Sequence, residues 1–233
     1  RWCAMSAPVP ERVLAVKLAD FGDALLTTPA LRAMRAAWPE ARIDALTTVH
    51  AAVVYRHSGL VDAVRTFAKA DYDRPSGLLS RPGAALRLAR ALRAERYDLV
   101  ALFHPLTTRF GAIKHAALAL STRAPIRAGL ARPGALRSAF LNRPAVDRGF
   151  QGAHVVEQML AVAGAAGAPP AGRRLAFVPG AAAEAAAEAL ARKTAPSGRL
   201  VLVHPGCGPF APARRWVPEG FAALCDALAD DGH

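Results

Sequence analysis

"RVLAVKLADFGDALLTTPALRAMRAAWPEARIDALTT", residues 12 to 48, holds two β-type runs separated by a helical pattern. The first run, "RVLAVKL" (12 to 18), is apolar with almost no interruption, as a strand covered on both faces must be. The second, "RIDALTT" (42 to 48), follows only after the helical stretch. Strand, helix, strand in that order argues for a parallel sheet with helical crossovers. The helical pattern over 24 to 37 contains Pro29. Either Thr28 caps a fresh helix with Pro29 at its first position, or one helix continues with a kink. Gly22 and Asp23 lie in the turn between strand and helix. Gly22 reads as a turn glycine, and Asp23 either as a helix-start carboxylate or as a group acting on a substrate. Ligands of parallel α/β sheets gather at the carboxyl ends of the strands, which is where this turn falls.

Working outward, "VDAVRTF" (61 to 67), "YDLVALF" (97 to 103) and "RLVLVHP" (199 to 205) are the further strand candidates. Between them, "GAALRLARALRAERY" places Leu86, Ala89 and Leu92 at helical spacing with arginines on the other side. After residue 164 the composition shifts. "GAAGAPPAGRR" reads as a linker, and "GAAAEAAAEALARKTAPSG" as an Ala-rich helix with strong propensity and little bulk to bury. A second α/β unit opens with 199 to 205 and the helix "PEGFAALCDALADDG". A parallel sheet of one or two strands is not a stable domain, so the sequence is expected to lack the greater part of a C-terminal domain. The expected organisation is a disordered leader over 1–11, a Rossmann-like domain over 12–164, a linker with the Ala-rich helix over 165–198, and the start of a second domain over 199–233.

The chain has 233 residues and is 53% hydrophobic, ample for a buried core. Thirty Lys and Arg against eighteen Asp and Glu give a net charge of +12, which favours anionic partners. Aromatic residues make up 6% and are not interleaved with the basic ones, so single-strand nucleic-acid binding by stacking is disfavoured and no nucleic-acid partner is expected. Cys3, Cys207 and Cys225 show no CxxC spacing and read as free thiols of a reducing cytosol. No apolar stretch approaches the roughly 20 residues of a spanning helix, and "RWCAMSAPVP" is too short and too Pro-rich for a signal peptide. The expected location is cytoplasmic. "FGDALL" lacks GxGxxG, which disfavours a nicotinamide enzyme or a nucleotide-sugar epimerase.

A second stretch able to carry chemistry is "VLVHPGCGPFAPARRWVPEGF", residues 201 to 221. A strand candidate ends in His-Pro-Gly, a Gly/Pro loop follows, and Arg214, Arg215 and Trp216 precede a helix start near Pro218. Such a loop can bring backbone amides and a guanidinium to a diphosphate. It reads equally as an ordinary βα loop with Trp216 as a core anchor and solvated arginines.

Taken together, "RVLAVKLADFGDALLTTPALRAMRAAWPEARIDALTT" and "VLVHPGCGPFAPARRWVPEGFAALCDAL" resemble the glycosyltransferase family 9 heptosyltransferases of lipopolysaccharide inner-core assembly. "GAHVVEQMLAVAGAAG" matches the family's usual helix before the domain crossover. The resemblance implies a GT-B type α/β fold, two Rossmann-like domains with parallel sheets, the C-terminal one truncated here. It implies an inverting, metal-independent transfer with no cofactor, usually of heptose from an ADP-linked donor, to a phosphorylated glycolipid acceptor met by peripheral contact with the inner membrane. By the same resemblance Asp23 matches the general base, and Arg214 a basic position that meets the donor phosphates, with Gly206 and Cys207 beside it. Lys17, Gly22, Thr27 and His104 fall on the acceptor side or in the cleft. Cys207 and Gly208 stand where the family commonly carries a hydroxyl, and "FHPLTTRF" stands where it often has Gln. The rival reading is a non-catalytic basic Rossmann-like module that binds anionic glycolipid or nucleic acid.

Overall fold

A computed structural model describes residues 9–67, 82–194, 200–206 and 215–231. The chain divides into two units, Arg1–Val178 and Pro179–His233.

The first unit is built on six parallel strands in the order β3-β2-β1-β4-β5-β6. They are β1 (Arg12–Lys17), β2 (Arg42–Thr48), β3 (Ala63–Phe67), β4 (Leu99–Leu102), β5 (Ile126–Ala131) and β6 (Arg143–Val146). Strand order grows outward in both directions from β1 and β4, so their carboxyl ends flank the point of reversal, where open α/β sheets form a crevice. Alternation along β1 sorts its residues between two cores. Val13 and Ala15 join the layer holding α2 (Thr28–Ala37) and α7 (Val155–Ala166), whereas Leu14 and Val16 join the layer under α4 (Pro82–Ala94) and α5 (Arg109–Ser121). All four are buried. That double coverage explains the unbroken apolar run.

Around Pro29 the chain makes two helices. α1 (Phe21–Leu25) is a short one, and α2 starts afresh with Thr27 as its N-cap residue and Pro29 in its first turn. The missing proline N–H falls where a helix has no internal partner for it. β2 is followed by α3 (Ala52–Arg56), and β6 by a single turn, α6 (Gly149–Gly152), before α7. α7 stops at Gly167, whose φ of 105° is a left-handed cap. The stretch read as a linker then runs back along α2. The Ala176 N–H donates to Thr28 Oγ1 at 2.9 Å, Arg32 donates to the Arg174 carbonyl, and Phe177 meets Phe21 edge-to-face at 5.3 Å.

One device recurs at the amino end of the sheet. Asp98, just ahead of β4, donates its N–H to the Arg12 carbonyl at 2.8 Å and accepts the Arg12 N–H at 2.9 Å. Asp62, ahead of β3, holds both backbone groups of Ile43 in the same way, at 2.8 and 2.7 Å. Asn142, ahead of β6, holds Arg127 at 3.1 and 2.8 Å. Each grip fixes the register of two neighbouring strands, and a one-residue slip would turn every side chain to the wrong face. Beneath them Asp44, fully buried, accepts from Arg42 Nε at 2.9 Å, Arg65 Nε at 3.4 Å and the Tyr97 hydroxyl at 2.7 Å. Glu95 takes the free arms of Arg12 and Arg65. Burial and the bond to Asp44 push the Tyr97 hydroxyl well above its ordinary pKa.

Two strands escape the sequence pattern. β5, "IRAGLA", is broken by Arg and Gly. A Cβ on Gly129 would lie 3.1 Å from Leu141, so a larger residue there would require that side chain to shift. β6, "RPAV", carries a proline, which an edge strand tolerates. In the other direction, the strand expected over 199 to 205 is not formed. Residues 200–206 belong to no strand, and Leu202 is 91% exposed, because no neighbouring strand among the described residues supplies hydrogen-bond partners. The second unit otherwise shows α8 (Ala181–Thr194) and α9 (Pro218–Asp230), neither with a buried residue. Trp216, read as a core anchor, is half-exposed and packs edge-on against Phe221 at 5.2 Å. Cys225 is an exposed free thiol.

Candidate active site

The carboxyl end of β1 is tethered to both neighbours. Thr47 and Thr48 of β2 donate their hydroxyls to the Lys17 and Ala19 carbonyls, each at 2.8 Å. From the β4 side, Lys17 Nζ donates to the Phe103 carbonyl at 3.0 Å, and the Leu18 N–H donates to His104 Nε2 at 2.6 Å. Because Nε2 accepts, the imidazole proton sits on Nδ1. These bonds hold the 18–20 turn rigidly, and α1 leaves it at a fixed angle.

A cavity of about 210 Å³ opens there. Lys17, Asp20, Asp23 and His104 line it from β1, α1 and the β4 end, while Arg132, Asp147 and Gln158 line it from the far side. Asp23 is exposed in the first turn of α1. The Asp20 carbonyl accepts the Ala24 N–H at 3.0 Å, but among the described residues neither the Asp23 nor the Asp20 carboxylate makes a hydrogen bond or ion pair, and Asp20, the N-cap residue, has no side-chain cap bond. Asp23 is therefore not used up by the helix it begins. Its charge is felt behind the cavity at Tyr55. Burial raises that hydroxyl's pKa, the bond to Thr27 opposes the rise, and the Asp23 carboxylate adds to it.

The expected residues separate on inspection. Lys17 and His104 line the cavity, but each also holds the scaffold through the bonds above. Lys17 is buried. Gly22 lies in α1 without a positive φ, and a Cβ there would meet nothing within 4 Å, so no turn or contact within the unit requires glycine. Thr27 lies outside the cavity wall. It is buried, and its hydroxyl donates to the Ala24 carbonyl at 2.6 Å and pairs with the Tyr55 hydroxyl at 2.8 Å. Gly206 is exposed in the second unit. Cys207 and Arg214 lie outside the described residues.

Three groups on the far wall were not singled out in the sequence. Arg132, at the end of β5, donates its Nε to Asp147 Oδ2 at 3.2 Å, and Asp147 also accepts the Gly149 N–H at 2.8 Å. Asp147 is nearly buried and Arg132 about half-exposed, so the carboxylate anchors a guanidinium that still faces solvent. Gln158 of α7 is buried and donates to the Gly149 and Ala153 carbonyls, closing the floor. The available signal was positional, since Arg132 and Asp147 each follow a strand end. With β5 and β6 unrecognised, that signal had no frame. The arrangement sets an unpaired carboxylate in the same hollow as an anchored cation. It can accept a proton from a polyol while a negative group of the same molecule meets Arg132. Among the described residues no cluster of three or more His, Cys, Asp or Glu is placed to hold a metal ion, and no helix is long and apolar enough to cross a membrane.

The model of glycosyltransferase family 9 (heptosyltransferase) matches residues 85–233. No curated protein matches the chain. Among solved structures, the glycosyl transferase family 9 protein from Veillonella parvula DSM 2008 is similar with a TM-score of 0.73 at 21% identity, over 96% of this chain and 60% of that one. The E. coli ADP-heptose lps heptosyltransferase II is similar with a TM-score of 0.65 at 20% identity, over 94% and 62%. The E. coli heptosyltransferase WaaC, solved with ADP-2-deoxy-2-fluoro heptose, has a TM-score of 0.53 at 23% identity, over 70% and 50%. The chain thus spans about 60% of the length of the first two of these structures. The likeness fixes the fold as GT-B type, and the match to the family model covers well over half of the residues. The chain belongs to glycosyltransferase family 9.

Proposed function

We propose that the protein moves a heptose or related sugar from an ADP-linked donor to a phosphorylated glycolipid acceptor, with inversion and without a metal. Asp23 takes the proton of the acceptor hydroxyl while that oxygen attacks the anomeric carbon. The bond from that carbon to the diphosphate breaks on the opposite face, and the nucleoside diphosphate leaves with the electron pair. Arg214 and backbone amides near Gly206 meet the departing charge, a stabilisation that fixed donors provide most strongly away from water. Arg132, held by Asp147, receives an acidic group of the acceptor. The net charge of +12 suits such a substrate at an anionic inner membrane face. The family assignment and the Rossmann-like half support this reading, and the free, exposed carboxylate of Asp23 in the cavity carries it.

Asp20 shares the cavity and its lack of partners, so the paired variants decide which carboxylate is the base. In the whole protein, Asp23→Asn is expected to lower kcat about 10²- to 10⁴-fold with no loss of thermal stability. Asp20→Asn is expected to change kcat far less. Near wild-type turnover by Asp23→Asn removes the base assignment. Thermal stabilisation by ADP-, UDP-, GDP- and dTDP-sugars identifies the donor, since a ligand at 100 times its dissociation constant adds roughly 2.7 kcal/mol.

A further inference from the structure

α1, the helix that carries Asp23, has five residues, well below the roughly 12–15 under which an isolated helix is marginal. Its place is therefore set by what grips it. At its carboxyl end the grip is dense. Ala24 is buried, and its carbonyl accepts from the Thr27 hydroxyl at 2.6 Å and the Tyr55 hydroxyl at 3.3 Å. The amino end differs. Phe21, Gly22 and Asp23 are all exposed there, and Asp20 supplies no side-chain cap bond.

What meets that end comes from far along the chain. Phe177 sets its ring edge-on to Phe21, with centroids 5.3 Å apart and planes at 75°. One residue earlier, the same segment reaches the other end of α1. The Ala176 N–H donates to Thr28 Oγ1 at 2.9 Å, and the Thr28 hydroxyl donates to the carbonyl of Leu25, the last residue of α1, at 2.8 Å. The segment is itself pinned, because Arg32 donates to the Arg174 carbonyl and Arg173 pairs with Glu157 of α7. Two consecutive residues thus hold both ends of one short helix. Neither Phe21 nor Phe177 lines the Asp23 cavity, so within this unit their influence on the cavity passes through α1.

We propose that Phe177 is a positioning residue for Asp23. Its ring seats Phe21 and so holds the first turn of α1, with the carboxylate, in the orientation that faces the cavity. This rests on the reading of Asp23 as the base and adds what fixes its direction. An edge-to-face aromatic pair shifts a population by a factor of about 2 to 12, which sets the size of effect expected when it is lost.

Hydrogen exchange and steady-state kinetics on the whole protein test this. In Phe177→Ala, exchange at the Ala24 and Leu26 amides, which donate to the Asp20 and Gly22 carbonyls, should quicken about 2- to 12-fold. The amides of β1 should exchange as before. kcat should fall by a similar factor with KM unchanged, since a base that faces away part of the time lowers the competent fraction and not the affinity. Phe177→Tyr keeps the ring and should match the wild type in both measurements. In an Asp23→Asn background, Phe177→Ala should lower kcat no further. The two readings fail separately. Near wild-type turnover by Asp23→Asn removes the base on kinetics alone, whereas unchanged α1 exchange in Phe177→Ala overturns the seat whatever Asp23 does. The proposal is also overturned by unchanged kcat in Phe177→Ala, by an equal loss of kcat with and without the Asp23 carboxylate, or by exchange quickened as much in β1 as in α1.

Discussion

Asp44, near the amino end of the sheet, and Asp23, just beyond its carboxyl end, differ in what surrounds them. Asp44 has no exposure and accepts from two arginines and a tyrosine, with Glu95 completing the lattice. Asp23 is exposed and accepts from nothing among the described residues. One end of the sheet uses its carboxylates to hold strands together, while the other keeps two at the mouth of a cavity. A carboxylate satisfied by fixed donors serves stability, whereas one left free is available to a ligand. The contrast predicts that substitutions at the two ends separate into stability effects and turnover effects.

The largest stability effect is expected at Asp44. Asp44→Asn removes the charge that several donors converge on and should cost about 3 kcal/mol in urea unfolding, whereas Asp23→Asn should leave the midpoint where it was. Equal effects at both sites would break the comparison. Tyr97→Phe should cost about 1 kcal/mol for the lost hydrogen bond, and it sharpens the comparison through pH. The folded-state pKa of Tyr97 is raised, so its contribution is complete below the unfolded value of about 10 and is lost as pH climbs above it. The wild-type protein should therefore lose stability in strong alkali, and Tyr97→Phe should flatten that loss. Asp62 works at the acid side. Burial raises its carboxyl, but the Ile43 amide and Arg35 more than reverse this and hold it below the ordinary range. Its contribution is present above about pH 3.9 and disappears as pH falls through the folded value, and Asp62→Asn should remove that acid slope. The smallest effect is at Gly22. Gly22→Ala meets open space in a helix and should add about 0.5 kcal/mol of stability. A simultaneous fall in turnover would show that the bare backbone is kept for a substrate.

How much of this was legible followed from how regular each element is. β1 announces itself because both faces are buried and Val13 to Val16 form an unbroken apolar run, and β2 does so because Ile43, Ala45 and Leu46 are β-type and buried although Asp44 interrupts them. β5 and β6 do not, since Gly129 answers a packing contact with Leu141 and Pro144 is allowed only by an edge position, and neither reason exists until the sheet is assembled. The opposite error at 199 to 205 has the same root. That run has the composition of a strand, but pairing is a property of neighbours. For the site, Asp23 could be read from its place after β1 and from the family resemblance. Thr27, which looks similar on paper, faces inward to Tyr55. Arg132 and Asp147 stayed hidden because their strands did.

The grips of Asp98, Asp62 and Asn142 act only where β1, β2 and β5 begin. Alignment of those three with their neighbours is therefore decided before the chain reaches the opposite rim. Segments on that rim can lengthen, shorten or be exchanged without unthreading the scaffold, which makes the fold a chassis that can be refitted for new ligands.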